Sequence, residues 1–413
     1  MRFFYYSVRR NLFLFLAVFG PATITAISDN DAAGVATYSL AGAKFGYSIL
    51  FVLFFVTILL AITQEMGVRI AVVTKKGLGD LIRERYGLRI AVFVFLILLI
   101  ANMGSIVANF AALKATSHMF NLPTIPFLIS IVVLSFFFIT KGNYAVNQKI
   151  FLIGVLLYFA YIFSALRAKP DWGAAFTNLI IPKDLHFSRD YVFASIAVLG
   201  TTITPWGQFF IQSYVNDKKI SLKSLKLAQI ETYFGAFLTD FFSFFMIVAT
   251  AATLFIHKIP LVSGETAAMA IRPFAGEFAG TLFGLGLLNA GIMGVIIISL
   301  STAYAFSEFF GYEGSLDSPF DRGKLFYGIF LFQMILAMSI VMLPSVSLFQ
   351  IVFYTQSLNT ILLPIILFFL IRIANLKHVM GEYTNSKIYN FFSIFSVILI
   401  ISATIFTFVS AFF

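Results

Sequence analysis

Asp29 and Asp31 stand in the stretch Ser28-Asp29-Asn30-Asp31-Ala32-Ala33-Gly34, inside an apolar run that continues on both sides. A charged side chain at mid-membrane depth costs roughly 2.5 to 3.5 kcal/mol on insertion scales, so acids kept at such a place mark a site. On an unbroken helix the two carboxylates would point about 200° apart. A locally unwound segment would aim both at one centre and add backbone carbonyls to the ligand set, which is how membrane helices build cation sites near the midplane. The alternative is that the two acids simply end a helix at the interface. The apolar residues that follow Gly34 argue against it.

A second stretch has the same character. Leu199-Gly200-Thr201-Thr202-Ile203-Thr204-Pro205-Trp206-Gly207-Gln208 places a proline in a helical run and surrounds it with hydroxyls. Pro205 removes a backbone donor and clashes with the preceding turn. Gly200 and Gly207 weaken the helix on either side. A plain proline kink with satisfied threonines is the competing account. A third acid, Asp240 in Phe237-Leu238-Thr239-Asp240-Phe241-Phe242, is also deep in an apolar run. It either holds a water of a hydrated ion from outside the ligand set or partners a Thr or Tyr on a neighbouring helix. Glu65 and Arg69 are four residues apart, as an ordinary helical ion pair requires. The four His residues, at 118, 186, 257 and 378, fall near the ends of apolar runs and form no metal cluster, and there is no Cys to supply thiolate, zinc or iron–sulfur chemistry.

These residues need helices that cross a bilayer. Of 413 residues 60% are apolar and 11% charged, and the mean hydropathy is +0.96. A soluble domain of this length carries about 25% charge, and a water-exposed surface could not absorb this much apolar area. About 20 apolar residues span the hydrocarbon core. Eleven such spans are predicted at about 11–39, 46–69, 88–116, 123–140, 146–166, 191–215, 228–256, 279–310, 324–343, 346–371 and 389–411, forming one transmembrane domain over 1–413. No cleavable signal peptide is evident, and the longest loop, about 167–190, is too short for a soluble domain. With the N-terminus in the cytoplasm, 20 of the 28 Lys and Arg residues fall on inner loops and 7 on outer ones, with Lys114 inside the third span. That bias fits the positive-inside rule and puts the C-terminus outside. The basic residues are spread among loops, so the +10 charge does not indicate nucleic acid. The expected partner is the lipid bilayer, the location the cell membrane, and the working unit a monomer. The first and sixth spans each open a set of five, helices 1–5 over about 11–166 and 6–10 over about 191–371, with an eleventh at 389–411. Interrupted helices at corresponding positions suggest an inverted repeat with a binding site between the breaks.

The residues also resemble a known family. Asp31-Ala32-Ala33-Gly34-Val35-Ala36-Thr37 followed by Ala41-Gly42-Ala43-Lys44-Phe45-Gly46-Tyr47 is similar to the first span of the Nramp divalent-metal transporters, which read Asp-Pro-Gly-Asn and then Ala-Gly-Ala-x-Phe-Gly-Tyr. Gln64 to Thr74 resembles the family's Gln-x-x-x-x-Arg-x-x-x-x-Thr run. Leu199 to Gly207 resembles its Leu-Gly-Ala-Thr-x-Met-Pro-His-Asn. The resemblance implies an all-α membrane protein of eleven helices, a LeuT-like pair of inverted five-helix repeats with helices 1 and 6 broken, and a transporter, not an enzyme. It also implies a metal site drawn from Asp31, Gly34, Thr201 and Thr204, with Asp29 beside them. Gln356 resembles the tenth-span Gln that helps close over the ion, although a plain interhelical hydrogen bond is as good an account.

The departures from the family pattern are informative. The thioether ligand is replaced by Thr204, the amide ligand by Gly34, and a small residue by Thr201. A thioether favours transition metals. A wide site of carboxylate, hydroxyl and carbonyl oxygens suits Mg²⁺, which keeps several waters when bound, and Mn²⁺ beside it. This is the pattern of the Nramp-related magnesium transporters. The family's His after the sixth-span proline is Trp206. The stretch facing its third-span acids is Ser105-Ile106-Val107-Ala108, and the ninth span has no Arg. Groups able to pass a proton are therefore missing, and transport without proton coupling is expected. No cofactor is expected, the divalent ion being cargo. Two alternatives remain: a proton-coupled Mn²⁺/Fe²⁺ member of the family, and a sodium-coupled amino-acid transporter of the same fold. Two acids at the first break argue against the second, because its substrate presents a carboxylate there. An intramembrane metalloprotease would need a His-Glu-x-x-His type motif, which the sequence lacks.

Overall fold

Long apolar runs with almost no proline inside them leave the backbone one way to satisfy its polar groups in hydrocarbon, the α-helix. The computed structural model describes residues 15–412 apart from 184, 186–187, 260, 262–263 and 344–347, and among these residues the regular elements are helices. In chain order they are α1 (Pro21–Ser28), α2 (Ala32–Phe45), α3 (Leu50–Thr74), α4 (Leu78–Tyr86), α5 (Leu88–Met119), α6 (Thr124–Lys141), α7 (Tyr144–Leu157), α8 (Phe159–Arg167), α9 (Trp172–Ile180), α10 (Arg189–Thr202), α11 (Pro205–Asp217), α12 (Leu225–Thr250), α13 (Gly264–Ala275), α14 (Glu277–Phe310), α15 (Lys324–Met342), α16 (Leu348–Ala374), α17 (Lys377–Met380) and α18 (Lys387–Phe412). Seven helical stretches are long and apolar enough to cross a bilayer unaided. One of them, Ala32–Thr74, runs through a short 3₁₀ turn and contains both the second half of the first span and the whole of the second. With the broken first and sixth spans and the tenth and eleventh, the described helices follow the eleven predicted segments.

Three boundaries differ from expectation. The first span continues to Phe45, not 39, and stops where Gly46 takes φ +60°. Gly42 permits this extension, since a Cβ there would stand 2.4 Å from Thr250 Oγ1 and 2.6 Å from the Ile247 carbonyl oxygen. The second span reaches Thr74. The predicted loop at 167–190 contains α9, whose N-terminus is capped by Asp171 accepting from Ala174 N.

The outward surface is apolar. On α5, Phe93, Leu96 and Ile100 are exposed at intervals of three and four residues, one face of a helix. On α15, Phe332, Ile335 and Leu336 do the same. Polar side chains turn inward instead, as expected where lipid takes the place of water. The loops assigned to one side also meet one another. Arg69, at the end of the second span, pairs with Glu65 at 2.9 Å and donates to Tyr383 O and Asn385 Oδ1 between the tenth and eleventh spans. Lys75 donates to Ile220 O, Lys218 to Phe19 O and Gln148 Oε1, and Tyr144 N to Asp317 Oδ1. On the opposite side Lys44 pairs with Asp190 at 2.7 Å. These contacts join loops that the predicted alternation places on the same side.

Glu231 of α12 positions α1, the first half of the first span. Its carboxylate accepts from Gly20 N at 2.9 Å, Thr23 N at 2.8 Å and Ala22 N at 3.3 Å. These are the unpaired amides at the start of α1, whose N-cap residue Gly20 has no side chain to satisfy them. A negative charge at a helix N-terminus is also favoured by the peptide dipoles. Glu231→Gln replaces one accepting oxygen by a donor, and a buried amide left unpaired costs about 1–3 kcal/mol. Detergent-solubilised Glu231→Gln is expected to melt several degrees below the wild type, and α1 to become more open to hydrogen exchange. An unchanged melting temperature would remove Glu231 from this role.

Candidate ion site

The first break is built by its own residues. α1 ends at Ser28, Asp29 and Asn30 form a turn with N–H bonds back to Ala26 O and Ile27 O, and Asp31 then starts α2 as its N-cap, accepting from Gly34 N at 2.8 Å. Asp is among the best N-cap residues because its oxygen satisfies an amide that the helix cannot. The second break follows the same rule. α10 ends at Thr202, Ile203 and Thr204 are extended, and Pro205 opens α11 with Thr204 as N-cap, accepting from Gly207 N at 3.2 Å. Proline forces an extended conformation on the residue before it and is suited to the first helical position after the break. Pro205 therefore produces a full interruption, not a kink.

The two breaks face each other. Thr204 Oγ1 donates to Asp29 Oδ1 at 2.5 Å, and Gln64 Nε2 of α3 donates to Asp29 Oδ2 at 3.3 Å. Asp31 turns the other way, to Asn109 of α5, whose Nδ2 donates to Asp31 Oδ2 at 2.8 Å while its Oδ1 accepts from Ala32 N at 2.9 Å. Asn30 is anchored to α12, donating to Thr239 O and accepting from Ser243, while its carbonyl accepts from Tyr158 of the fifth span.

Two glycines allow these groups to approach the backbone closely. A Cβ on Gly34 would stand 2.7 Å from the Asp29 carbonyl oxygen, 3.4 Å from Thr201 Oγ1 and 3.6 Å from Asp31 Oδ1. A Cβ on Gly207 would stand 2.7 Å from Thr204 Oγ1 and 3.1 and 3.7 Å from the Asp29 carboxylate oxygens. At each break the glycine thus lets oxygens pack closer to the backbone than any side chain would allow. Asp29, Asp31, Thr201 and Thr204 are each at most 5% exposed. Among the described residues no three of His, Cys, Asp and Glu converge as an all-protein metal cage would require, so an ion here takes hydroxyl, carbonyl or water oxygens as well.

Five of the sequence candidates, Asp29, Asp31, Gly34, Thr201 and Thr204, are brought together. Asp240 lies near them on α12 and has its own neighbours. Gln356 is on α16, with its side chain outside the described residues. Sequence reasoning missed Asn109, one residue beyond the stretch compared with the family's acids. An Asn at helical spacing from Ser105 in an apolar run was the available signal. It also left Gln208 unassigned. This side chain is fully buried one turn past the second break, and neither end of its amide has a partner.

A broken pair of helices facing one another belongs to more than one lineage, and the comparisons with known proteins resolve which. The Nramp model, described as natural resistance-associated macrophage protein-like, matches residues 22–410. The chain belongs to the Nramp family. As an Nramp protein it is a membrane transporter, not an enzyme. Among its curated Nramp relatives is a protein named divalent metal cation transporter MntH from Yersinia enterocolitica, 26% identical over 294 residues, which are 69% of this chain and 71% of the relative. The MntH of Verminephrobacter eiseniae is 22% identical over 301 residues, 70% of this chain and 68% of that one. Among solved structures, the Eremococcus coleocola manganese transporter superposes with a TM-score of 0.76 at 17% identity, covering 96% of this chain and 86% of the other. MhsT, solved with L-phenylalanine, superposes at 0.60 with 13% identity over 95% of this chain and 97% of its own. The LeuT-like expectation for this Nramp chain is met by both.

Proposed function

We propose that this chain carries divalent metal cations across the cell membrane, Mg²⁺ foremost and Mn²⁺ beside it, by alternating access and without moving protons. The observation that carries this reading is the convergence of buried oxygens on Gly34 and Gly207, where the nearest neighbours of a missing Cβ are carboxylate, hydroxyl and carbonyl oxygens. The curated relatives named divalent metal cation transporters, and the manganese transporter of similar fold, support the class of cargo. The finer choice rests on this chain's own chemistry. A hard cation prefers oxygen donors, and Mg²⁺ sheds water with difficulty, so small residues at 34 and 204 suit an ion that arrives with part of its shell. Asp31 and Asp29 supply negative charge, Thr201 and Thr204 hydroxyls, and the turn at Asp29 a carbonyl. Gln356 is kept as a proposed residue that helps close over the ion, and Asp240 stands outside the set that touches it. Asp29 holds the first break against the second through Thr204, so removing that bond on ion entry is the step that frees the two halves to rock.

Absence of proton coupling is supported by two neighbouring positions that cannot pass a proton. Trp206 cannot titrate, and Asn109, which meets Asp31, is an amide. The driving force is then the ion gradient with the inside-negative potential, about 2.3 kcal/mol per charge per 100 mV and twice that for a divalent ion. The proposed orientation puts the Arg69–Glu65 side of the molecule and the N-terminus in the cytoplasm. Uptake of Mg²⁺, Mn²⁺, Ca²⁺ and Cd²⁺ into proteoliposomes holding a pH-sensitive dye tests the reading at clamped potential. Mg²⁺ and Mn²⁺ influx with a steady internal pH is expected. Internal acidification that tracks metal entry would overturn the uncoupled reading, and preference for Cd²⁺ over Mg²⁺ would overturn the choice of cargo.

A further inference from the structure

Three acids lie close together at the level of the first break, and one divalent ion balances only two of them. Asp29 is near enough to both Asp31 and Asp240 for each to repel it. None of the three forms an ion pair, and the Lys and Arg side chains in ion pairs among the described residues all lie elsewhere. Nor do the three converge on one point, so a single cation at Asp31 and Asp29 does not reach Asp240.

Asp240 differs from the other two. Asp31 and Asp29 each accept hydrogen bonds on both carboxylate oxygens. Asp240 is 4% exposed, and both of its oxygens lack a hydrogen-bond partner. Its surroundings are nonetheless rich in oxygen. Thr57 of α3 stands within hydrogen-bonding reach of it, with its hydroxyl directed to Leu53 O at 2.8 Å. Tyr38 of α2 lies within electrostatic range of it, with its hydroxyl bonded to Thr202 Oγ1 at 2.6 Å. Ser243, one turn further along α12, directs its hydroxyl to Asn30 and Thr239 O. Two more buried oxygens in this region, Thr239 Oγ1 and Gln64 Oε1, have no donor. Hydroxyls that give their protons elsewhere present lone pairs, and an ionised carboxylate without donors in a buried site is costly unless a cation meets it.

We propose that the buried region where α2, α3, α10 and α12 pack together holds a bound alkali cation of the Na⁺ or K⁺ class at Asp240, separate from the divalent-ion site. A monovalent ion supplies the one positive charge that the divalent cargo leaves lacking. A cation that stays in place moves no net charge, so this is compatible with uncoupled transport of the cargo. The proposal rests on the divalent-ion reading only for that count of charge.

Binding is tested without cargo and transport with it. The melting temperature of the purified chain is measured in Na⁺ or K⁺ against N-methyl-D-glucamine, which is too bulky for this buried region, in metal-free buffer. Wild type and Asp31→Asn are expected to gain several degrees from the alkali ion, and Asp240→Asn to gain none. Replacement of alkali ions by N-methyl-D-glucamine is expected to lower Mn²⁺ uptake about tenfold in the wild type, within the usual range of coupling between sites. Thr57→Val keeps the carboxylate and is expected to raise the Na⁺ concentration needed for half-maximal stabilisation, which serves if Asp240→Asn fails to fold. An alkali-ion response of equal size in wild type and Asp240→Asn would overturn the proposal. So would uptake that ignores Na⁺ and K⁺ and rises instead as pH falls, since Asp240 would then be balanced by a proton. Loss of transport in Asp31→Asn with its alkali-ion shift retained separates failure of the cargo site from failure of this one.

Discussion

Asp31→Ala is expected to abolish divalent-ion uptake while the protein still inserts in the membrane. Loss of one partner of a buried, charge-bearing contact costs about 3–5 kcal/mol, which is more than a hundredfold in an equilibrium constant. The structure adds a complication that controls the design. Asp31 is also the N-cap of α2 and a partner of Asn109, and loss of an N-cap alone costs about 1 kcal/mol of stability. Asp31→Asn is therefore the sharper variant. Asparagine caps a helix as well as aspartate does, so it keeps the bond from Gly34 N while removing the charge. Both variants are expected to lose Mg²⁺ and Mn²⁺ uptake, with Asp31→Asn melting close to the wild type. Uptake near wild-type rates in Asp31→Asn would detach the ion from this carboxylate. Asp29→Ala has a different expected result, since Asp29 holds the two breaks together through Thr204 and Gln64. Altered selectivity with partial transport is expected there.

Thr204→Met should change which ion is carried. The substitution introduces a thioether where the family pattern has one and removes the hydroxyl that bridges Asp29 Oδ1 and Gly207 N. A soft ligand raises the affinity for Cd²⁺ and other transition-series ions, and the added bulk takes the space that an Mg²⁺ water would fill. Cd²⁺ is expected to become an effective competitor, and Mg²⁺ uptake to fall on the order of tenfold, about 1.4 kcal/mol. Competition assays with ⁵⁴Mn²⁺ as tracer, run beside Mg²⁺ uptake, read both effects. The lost cap on α11 also predicts some loss of stability. Thr204→Ala, which loses the same cap without adding sulfur, separates the two causes. Unchanged Mg²⁺ transport in Thr204→Met would place residue 204 off the ion's path.

Much of this protein was legible before its structure. Apolar runs near 20 residues determine spanning helices, because hydrocarbon offers no other partner to a backbone amide. The alternation of basic loops followed, and the contacts of Arg69, Lys75 and Lys218 agree with it. The breaks were also legible: Pro205 removes a donor by its covalent structure, and two acids flanking an amide in an apolar run cannot all point outward on one helix. Local chemistry determines such features, and it is written in consecutive residues.

The partners across the breaks were settled only by tertiary packing. No spacing in the sequence tells that Thr204 reaches Asp29 and not Asp31, that Asn109 supplies the other contact of Asp31, or that Glu231, some 210 residues away, satisfies the first amides of α1. Each of these pairs joins different helices, and the rotation of one helix against another depends on the whole packed bundle. The same holds for Asp240. The sequence determined that it is an acid in a membrane helix, but only the packing of α2, α3 and α10 around it decided that it would be buried with neither carboxylate oxygen paired. A few ångströms of sliding between helices would supply or remove a partner, and the forces that set that position act along the full length of the spans.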